Sequence, residues 1–395
     1  MTRAQAGGHG STSPEGLAAS LGELVQIPSV NPHHAGARSG DAGERRIADW
    51  LAKRAAAQGA EVVTDHVTDG RCNVYATFAG TSDRILAIDV HLDTVGVEHM
   101  TREPFDGAVE GTRVYGRGAV DTKASLAVVL AVLDELRSQG RRPVPTVQVA
   151  GTVGEEMRGM IGAARYRDWL RDNGGAVDRL IVAEPTGCAP VHGHKGGCDL
   201  EVVVHGEAAH SAQVSAGVNA VSAAARVVAA IDEEHARLAG SQWPTPVGAG
   251  SVTAVGIAGG IAPNIVPDRC EVSINRRTAP GEQVENVLAT LRDLVVAAAR
   301  PATVDVEVPD GFAVDAFYRE PDIGLVERIS MLSGERPAVA AFGSNALFYD
   351  DVATELVVFG PGSIDQAHKA VEWIEIGELV RAAEIYRRLF TETDR

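Results

Sequence analysis

Cysteine is scarce in this chain of 395 residues, which has only four: Cys72, Cys188, Cys198 and Cys270. None stands at a CxxC spacing, which argues against a zinc knuckle or a disulfide framework and for reduced thiols. Basic residues are outnumbered, 36 against 53 acidic, for a formal net charge of −17. Such a field repels nucleic acid and anionic lipid and favours solubility in the cytoplasm. No apolar run reaches membrane-spanning length. The start "MTRAQAGGHGSTSPEG" lacks the apolar stretch of a signal peptide, and residues 1–12 read as a disordered leader. Beyond that leader there is no low-complexity segment, and there is no internal repeat. What is present, 45% hydrophobic and 23% charged residues, suits a soluble globular protein too long for one ordinary core.

Strands alternate with helices towards both ends. Helical patterns begin near Pro14 ("SPEGLAASLGELVQI") and Gly43 ("GERRIADWLAKRAAAQG"), the second closed by Gly59. The runs "RILAIDV" (84–90), "TVQVAGTV" (146–153), "RLIVAE" (179–184) and "ELVVFG" (355–360) read as buried strands, and "TKASLAVVLAVLDELRSQG" (122–140) as an apolar helix. This predicts an α/β fold with a mainly parallel sheet covered by helices on both faces. From about 197 to 308 the order becomes strand, helix, strand, strand, helix, strand, the ferredoxin-like unit. The expected organisation is therefore one domain over 13–194 and 310–395, with an α+β domain inserted over 195–309.

Polar residues gather where those strands end. His91 and Asp93 follow the first, Asp121 precedes the apolar helix, Glu155 and Glu156 leave the second in "VGEEMRG", Glu184 ends the third, and His368 lies beyond the fourth. In open α/β sheets ligands bind outside the carboxyl ends of the strands. Singly, each residue has an ordinary explanation: a solvated Glu pair, a satisfied imidazole, a helix-capping Asp. Together, five or six such groups at one sheet edge would repel each other unless paired. Two imidazoles and three carboxylates are the ligand set for two zinc-like ions about 3.5–4 Å apart, one carboxylate bridging. A structural salt-bridge network is the competing reading, and the loops offer it only Arg117, Lys123 and Arg158.

The motifs "HLD", "GRGAVDTK", "GEE", "EPTG", "AHSAQVSAGVNA", "GGIAPNIVPD" and "GPGSIDQAHK" follow one another in a known order. From about residue 15 onward the chain resembles the acetylornithine deacetylase and succinyl-diaminopimelate desuccinylase family, which groups zinc aminoacylases and carboxypeptidases. "EPTG…HKG" and "GPGSIDQAHK" are most like the acetylornithine deacetylase branch. The resemblance implies a zinc-peptidase-like two-metal domain with an inserted dimerisation lid. It implies that His91 and Glu184 bind one ion, Glu156 and His368 the other, and that Asp121 bridges. Asp93 would hold His91 in its tautomer, and Glu155 would be the base that takes a proton from the attacking water.

In the lid, the resemblance makes His210 an oxyanion-stabilising residue supplied by the partner subunit, with Asn264 and Arg277 holding the substrate α-carboxylate. Asn264 could instead shape its turn, Arg276 could take the place of Arg277, and Lys195, Gly360 and Gly362 are further candidate substrate contacts. His192 and His194 fall outside a ligand set already full, and the remaining histidines, His34 and His99 among them, read as solvated or local. Two departures from the family pattern, Ala124 in "DTKAS" and the loop "FGSNALF", leave the metal set untouched and bear on the substrate. The expected protein is a cytoplasmic, homodimeric amidohydrolase acting on a small N-acyl amino acid such as N-acetylornithine. It would use two divalent ions, zinc or cobalt, and engage neither nucleic acid nor membrane. Alternatives are a dipeptidase or carboxypeptidase of the same family, or a non-catalytic metal-binding protein, against which the intact Glu155 argues.

Overall fold

The computed structural model describes residues 10–41, 43–68, 70–157, 159–309, 312–322 and 324–392, so leader residues 1–9 and Arg158 lie outside the described residues. The chain forms two compact units, Met1–His192 with Arg319–Ala338 and Ser344–Arg395, and Gly193–Tyr318 with Val339–Gly343. Two residues of the expected leader are ordered: the Ser11 hydroxyl donates to the Ala131 carbonyl and Thr12 to the Glu135 carboxylate, each at 3.0 Å.

Helix α1 (Pro14–Val25) starts with Pro14 in its first turn and with Ser13 Oγ accepting the Gly16 N–H at 3.1 Å. Next come α2 (Arg45–Ala57), the hairpin β1 (Glu61–Thr68) and β2 (Arg71–Phe78), then β3 (Ile85–His91), α3 (Lys123–Ser138), β4 (Thr146–Thr152), α4 (Ile161–Asp172) and β5 (Val177–Val182). The second unit holds β6 (Gly197–His205), α5 (Ala220–Ala239), β7 (Ser251–Gly259), β8 (Arg269–Arg277), α6 (Val284–Ala299) and β9 (Thr303–Glu307). On return the chain makes α7 (Gly324–Ser333), β10 (Ala353–Val358) and α8 (Ile376–Thr391).

In the first unit the longer strands lie in the order β1-β2-β4-β3-β5-β10. The four apolar runs β4, β3, β5 and β10 are mutually parallel, while β1 and β2 add an antiparallel edge. The sheet is therefore mixed, which corrects the mainly parallel expectation. The hairpin escaped it because β1 is half exposed and shows no continuous apolar run. Helix α3 is buried along most of its length, and Leu126, Val129 and Leu133 share a core with Leu17, Leu21, Leu379 and Phe390. Each such side chain contributes about 1.5–3 kcal/mol. Burial therefore outweighs a helix cap of about 1 kcal/mol in holding these helices.

The register positions the site. His91 pairs with Thr152, Asp89 with Val182, and Val182 with Val358, so the four parallel strands end at one level. In the second unit β7-β8-β6-β9 form an antiparallel sheet, and Val227, Ile231, Leu288 and Leu291 of its two helices share a core with Val202, Val272 and Ile274. This unit reaches beyond the expected 195–309, and Ala313 pairs with Cys198 at the end of its sheet.

Candidate metal centre

His91 closes β3 and is 3% exposed. Its Nδ1 lies 3.0 Å from the Asp93 carbonyl, which can only accept, so Nδ1 carries a proton and Nε2 is the nitrogen turned towards the cluster. That Nε2 is 3.0 Å from Asp121 Oδ1, while Asp121 Oδ2 is 3.3 Å from His368 Nε2. One buried carboxylate thus faces both imidazoles. His368 Nε2 also lies 3.1 Å from Glu156 Oε2. The ligand atoms of His91, Asp121 and Glu156 lie within 4.8 Å of one another, as do those of His91, Glu155 and Glu184. Geometry alone therefore does not separate the roles of Glu155 and Glu156.

The electrostatics are those of a cluster short of positive charge. Burial pushes the Glu184, Glu155 and Glu156 carboxyls up, and neighbouring carboxylates add to it. Burial acts the same way on Asp121, but hydrogen bonds from His368 and His91 outweigh it and hold this carboxyl below its ordinary value. His368 is pushed up to about 10 by Asp121 and Glu156. His91 is raised despite its burial, through its hydrogen bond to Asp121 and the nearby Asp93 carboxylate. Protons on the imidazoles thus supply the charge the carboxylates demand. Two of the three cations considered for a salt-bridge network are engaged elsewhere: Arg117 pairs with buried Glu372, and Lys123 Nζ donates to the Ile27 carbonyl at 2.7 Å. Two imidazole nitrogens and several carboxylate oxygens, pressed together and short of charge, fit divalent metal ions.

Asp93 does more than the sequence suggested. Its Oδ1 accepts the N–H groups of Gly154 (3.0 Å) and Glu155 (3.1 Å), and its Oδ2 accepts that of Glu156 (2.9 Å) and Asn31 Nδ2 (2.8 Å). The Asp93 carbonyl, rather than its carboxylate at 3.7 Å, makes the hydrogen bond to His91. The carboxylate clamps the turn that carries the two glutamates. Sequence reasoning missed its helpers: Asn31; Glu44, which accepts the Gly154 N–H at 3.2 Å and binds Arg71; and Glu372, which accepts the N–H groups of Val120 (3.0 Å) and Asp121 (3.3 Å). Only the position of Glu372, four residues beyond His368, hinted at a role.

Gly362 is buried with φ +83°, and a Cβ there would lie 2.3 Å from Val120. Its carbonyl accepts the Gly187 N–H at 2.6 Å, and that of Gly360 accepts Cys188 at 2.9 Å, so "GPG" is packed against "EPTG". Packing accounts for the glycine. His192 Nδ1 lies 2.6 Å from the Arg319 carbonyl, and His194 Nδ1 lies 3.1 Å from that of Lys195. A cavity of about 200 Å³ lined by Arg84, Leu86, Asp178 and Leu325 sits at the opposite, starting ends of the strands.

Within the second unit, His210 and Asn264 come together. The strand Ala209–His210 pairs with Ile265–Val266, and the Ser211 N–H donates to the Asn264 carbonyl at 3.0 Å. Both residues are exposed. Arg276 is 2% exposed and salt-bridged to Glu282 at 2.5 Å, whereas Arg277 is exposed. Lys195 is half-buried, and its ammonium is held below its usual range by burial and then by Arg276 and Arg277.

Residues 87–392 match the family described as Peptidase family M20/M25/M40. The chain is 31% identical over 325 residues to an acetylornithine deacetylase of Myxococcus xanthus, covering 78% of this chain and 80% of that one. It is 30% identical over 340 residues to a probable carboxypeptidase of Ajellomyces dermatitidis, covering 82% and 75%. Its fold is similar to that of a tripeptidase from Staphylococcus aureus (TM-score 0.76, 21% identity, 96% and 98% covered). It is also similar to that of a Bacillus subtilis protein described as a dinuclear metal binding peptidase (TM-score 0.68, 16% identity, 95% and 97% covered). The chain belongs to peptidase family M20/M25/M40 and is a metal-dependent hydrolase.

Proposed function

We propose that this hydrolase removes the N-acyl group from an N-acyl amino acid, as an acetylornithine deacetylase does, with two zinc or cobalt ions as cofactors. The observation that carries the reading is the delivery of His91, Asp121, Glu155, Glu156, Glu184 and His368 to one end of one sheet, in a chain 31% identical to such a deacetylase. His91 and Glu184 hold one ion, Glu156 and His368 the other, and Asp121 is shared, which its position facing both imidazoles supports. Bound there, the ions supply polarisation of the scissile carbonyl and a water nucleophilic at neutral pH. Glu155 accepts the proton of the attacking water and returns it to the nitrogen as the C–N bond breaks, leaving an amine and a carboxylate. A carboxyl with raised proton affinity suits both halves of that task.

The second unit acts as lid and dimerisation domain. His210 stabilises the oxyanion from the partner subunit, and Asn264, Arg277 and Lys195 contact substrate. The exposure of Arg277 beside the buried Arg276–Glu282 pair supports Arg277 as the carboxylate-binding residue. Strand β7 is an edge strand with Val255 (60%) and Ile257 (54%) exposed, a surface suited to a second copy. The four cysteines are free, in keeping with the cytoplasm, and no helix among the described residues is long and apolar enough to cross a membrane.

The 30% identity to a probable carboxypeptidase favours a second reading, a dipeptidase or carboxypeptidase with the same ligands. Amine release from N-acetyl, N-succinyl and N-formyl amino acids and from dipeptides, with zinc or cobalt supplied, separates the two. Fastest release from N-acetylornithine is expected. Faster dipeptide cleavage supports the peptidase, and no turnover with metal bound supports a binding protein.

A further inference from the structure

The candidate ligands are not held alike. His91, Asp121 and Glu184 are buried, at 3%, 6% and 4% exposure, and the Glu156 side chain is 7% exposed, whereas that of His368 is 51% exposed; Glu156 and His368 both ride on loops. A ligand on a loop stays in place only if its backbone is tied. Two exposed histidines make those ties. His34, in the short 3-10 turn Pro32–His34, has Nε2 2.6 Å from the Glu156 carbonyl oxygen. His99 has Nε2 3.1 Å from the His368 carbonyl oxygen. A carbonyl can only accept, so in both cases Nε2–H donates.

Both anchors sit in built surroundings. The backbone of His34 lies so close to Gly96 that a Cβ on Gly96 would fall 2.8 Å from the His34 carbonyl oxygen. Arg117 Nη2 donates to the Gly96 and Lys369 carbonyls at 3.1 and 3.4 Å; it also lies 3.3 Å from His99 Nε2, where donor faces donor, so it holds the surrounding backbone and not the ring. The same guanidinium pairs with Glu372, which receives the Asp121 N–H. The His368 loop and the Asp121 backbone therefore hang on one network.

We propose that His34 and His99 are positioning residues for Glu156 and His368, and that they set the affinity of the one metal position those two ligands serve. The proposal rests on the ligand assignment made above. Each tie pulls on a backbone carbonyl, not on a ligating atom, so its loss relaxes where the ligand sits without removing the ligand. Loss of such a supporting hydrogen bond typically costs about 10–100-fold in metal affinity. The ligands of the other position, His91 and Glu184, receive no tie from either histidine in the structure.

The test titrates zinc into metal-free wild type, His34→Leu, His99→Leu, and the conservative His34→Gln and His99→Gln, which retain an N–H donor. Wild type is expected to take two equivalents; fewer than two overturns the underlying two-metal reading, and the proposal with it. With two bound, each Leu variant is expected to keep one equivalent at wild-type affinity, to weaken the other about 10–100-fold, and to melt like wild type when metal-free. The Gln variants should recover most of the lost affinity. Unchanged binding in the Leu variants, equal weakening of both equivalents, or a fall in metal-free Tm that tracks the affinity loss would each overturn it.

Discussion

Asp93 holds Glu156 by the backbone: its Oδ2 accepts the Glu156 N–H at 2.9 Å, and its Oδ1 takes the N–H groups of Gly154 and Glu155. Asp93→Ala strands those donors, at about 1–3 kcal/mol for each one left buried and unpaired. In Asp93→Asn one oxygen becomes an NH₂ that cannot accept, so part of the clamp is lost while the shape is kept. Its zinc affinity is expected to fall about 10–100-fold with a small drop in Tm. Zinc titration and thermal melting check this, and wild-type zinc affinity in the Asn variant would show the clamp to be irrelevant to the site.

The neighbouring arginines should behave oppositely. Arg276→Ala leaves Glu282 without its partner and is expected to cost about 3–5 kcal/mol, nearer the lower figure because the Glu282 side chain keeps 16% exposure. Arg277→Ala is expected to leave Tm unchanged and to raise KM about tenfold or more, with kcat little altered. Denaturant melts and steady-state kinetics on N-acetylornithine decide it. Equal kinetic effects from both variants would remove Arg277 from substrate binding.

Zinc binding should release protons. In the metal-free protein His368 is raised to about 10 and so is protonated at pH 7, and His91 also lies above its ordinary value. A ligating imidazole nitrogen must be bare, so below these values protons compete with the ion. Apparent affinity therefore climbs as pH rises, by about tenfold per unit for each proton displaced. Calorimetry in two buffers of different ionisation enthalpy counts the protons. A count of zero at pH 7 contradicts the picture.

How much of this was legible in the sequence depends on the kind of contact. The parallel strands could be read because burial on both faces leaves continuous apolar runs, and the cluster could be read because His91, Glu155 and Glu184 follow those runs within a few residues. The β1–β2 edge could not, since "EVVTDHVT" is half solvated. Asp93 looked like a partner for the His91 ring alone because its contacts to Gly154, Glu155 and Glu156 join backbone groups some sixty positions away. His34 and His99 are exposed, and side-chain type cannot reveal a bond to a distant carbonyl.

If His210 acts in trans, Glu155→Ala and His210→Ala damage different halves of a composite site. Mixing the two inactive proteins under subunit exchange is expected to restore about a quarter of wild-type activity, since half the dimers are mixed and each has one intact site. No recovery, with exchange confirmed by mass, confines His210 to its own subunit's site or removes it from catalysis.

The most direct test of the central claim measures zinc content and N-acetylornithine turnover together in Glu155→Ala and Glu156→Ala. Metal-dependent hydrolysis with Glu155 as the base predicts that Glu155→Ala keeps two ions while turnover falls about 10²–10⁴-fold, and that Glu156→Ala loses one ion along with most activity. The contradicting result is loss of an ion from Glu155→Ala as readily as from Glu156→Ala, which would make Glu155 a ligand alongside His91 and Glu184.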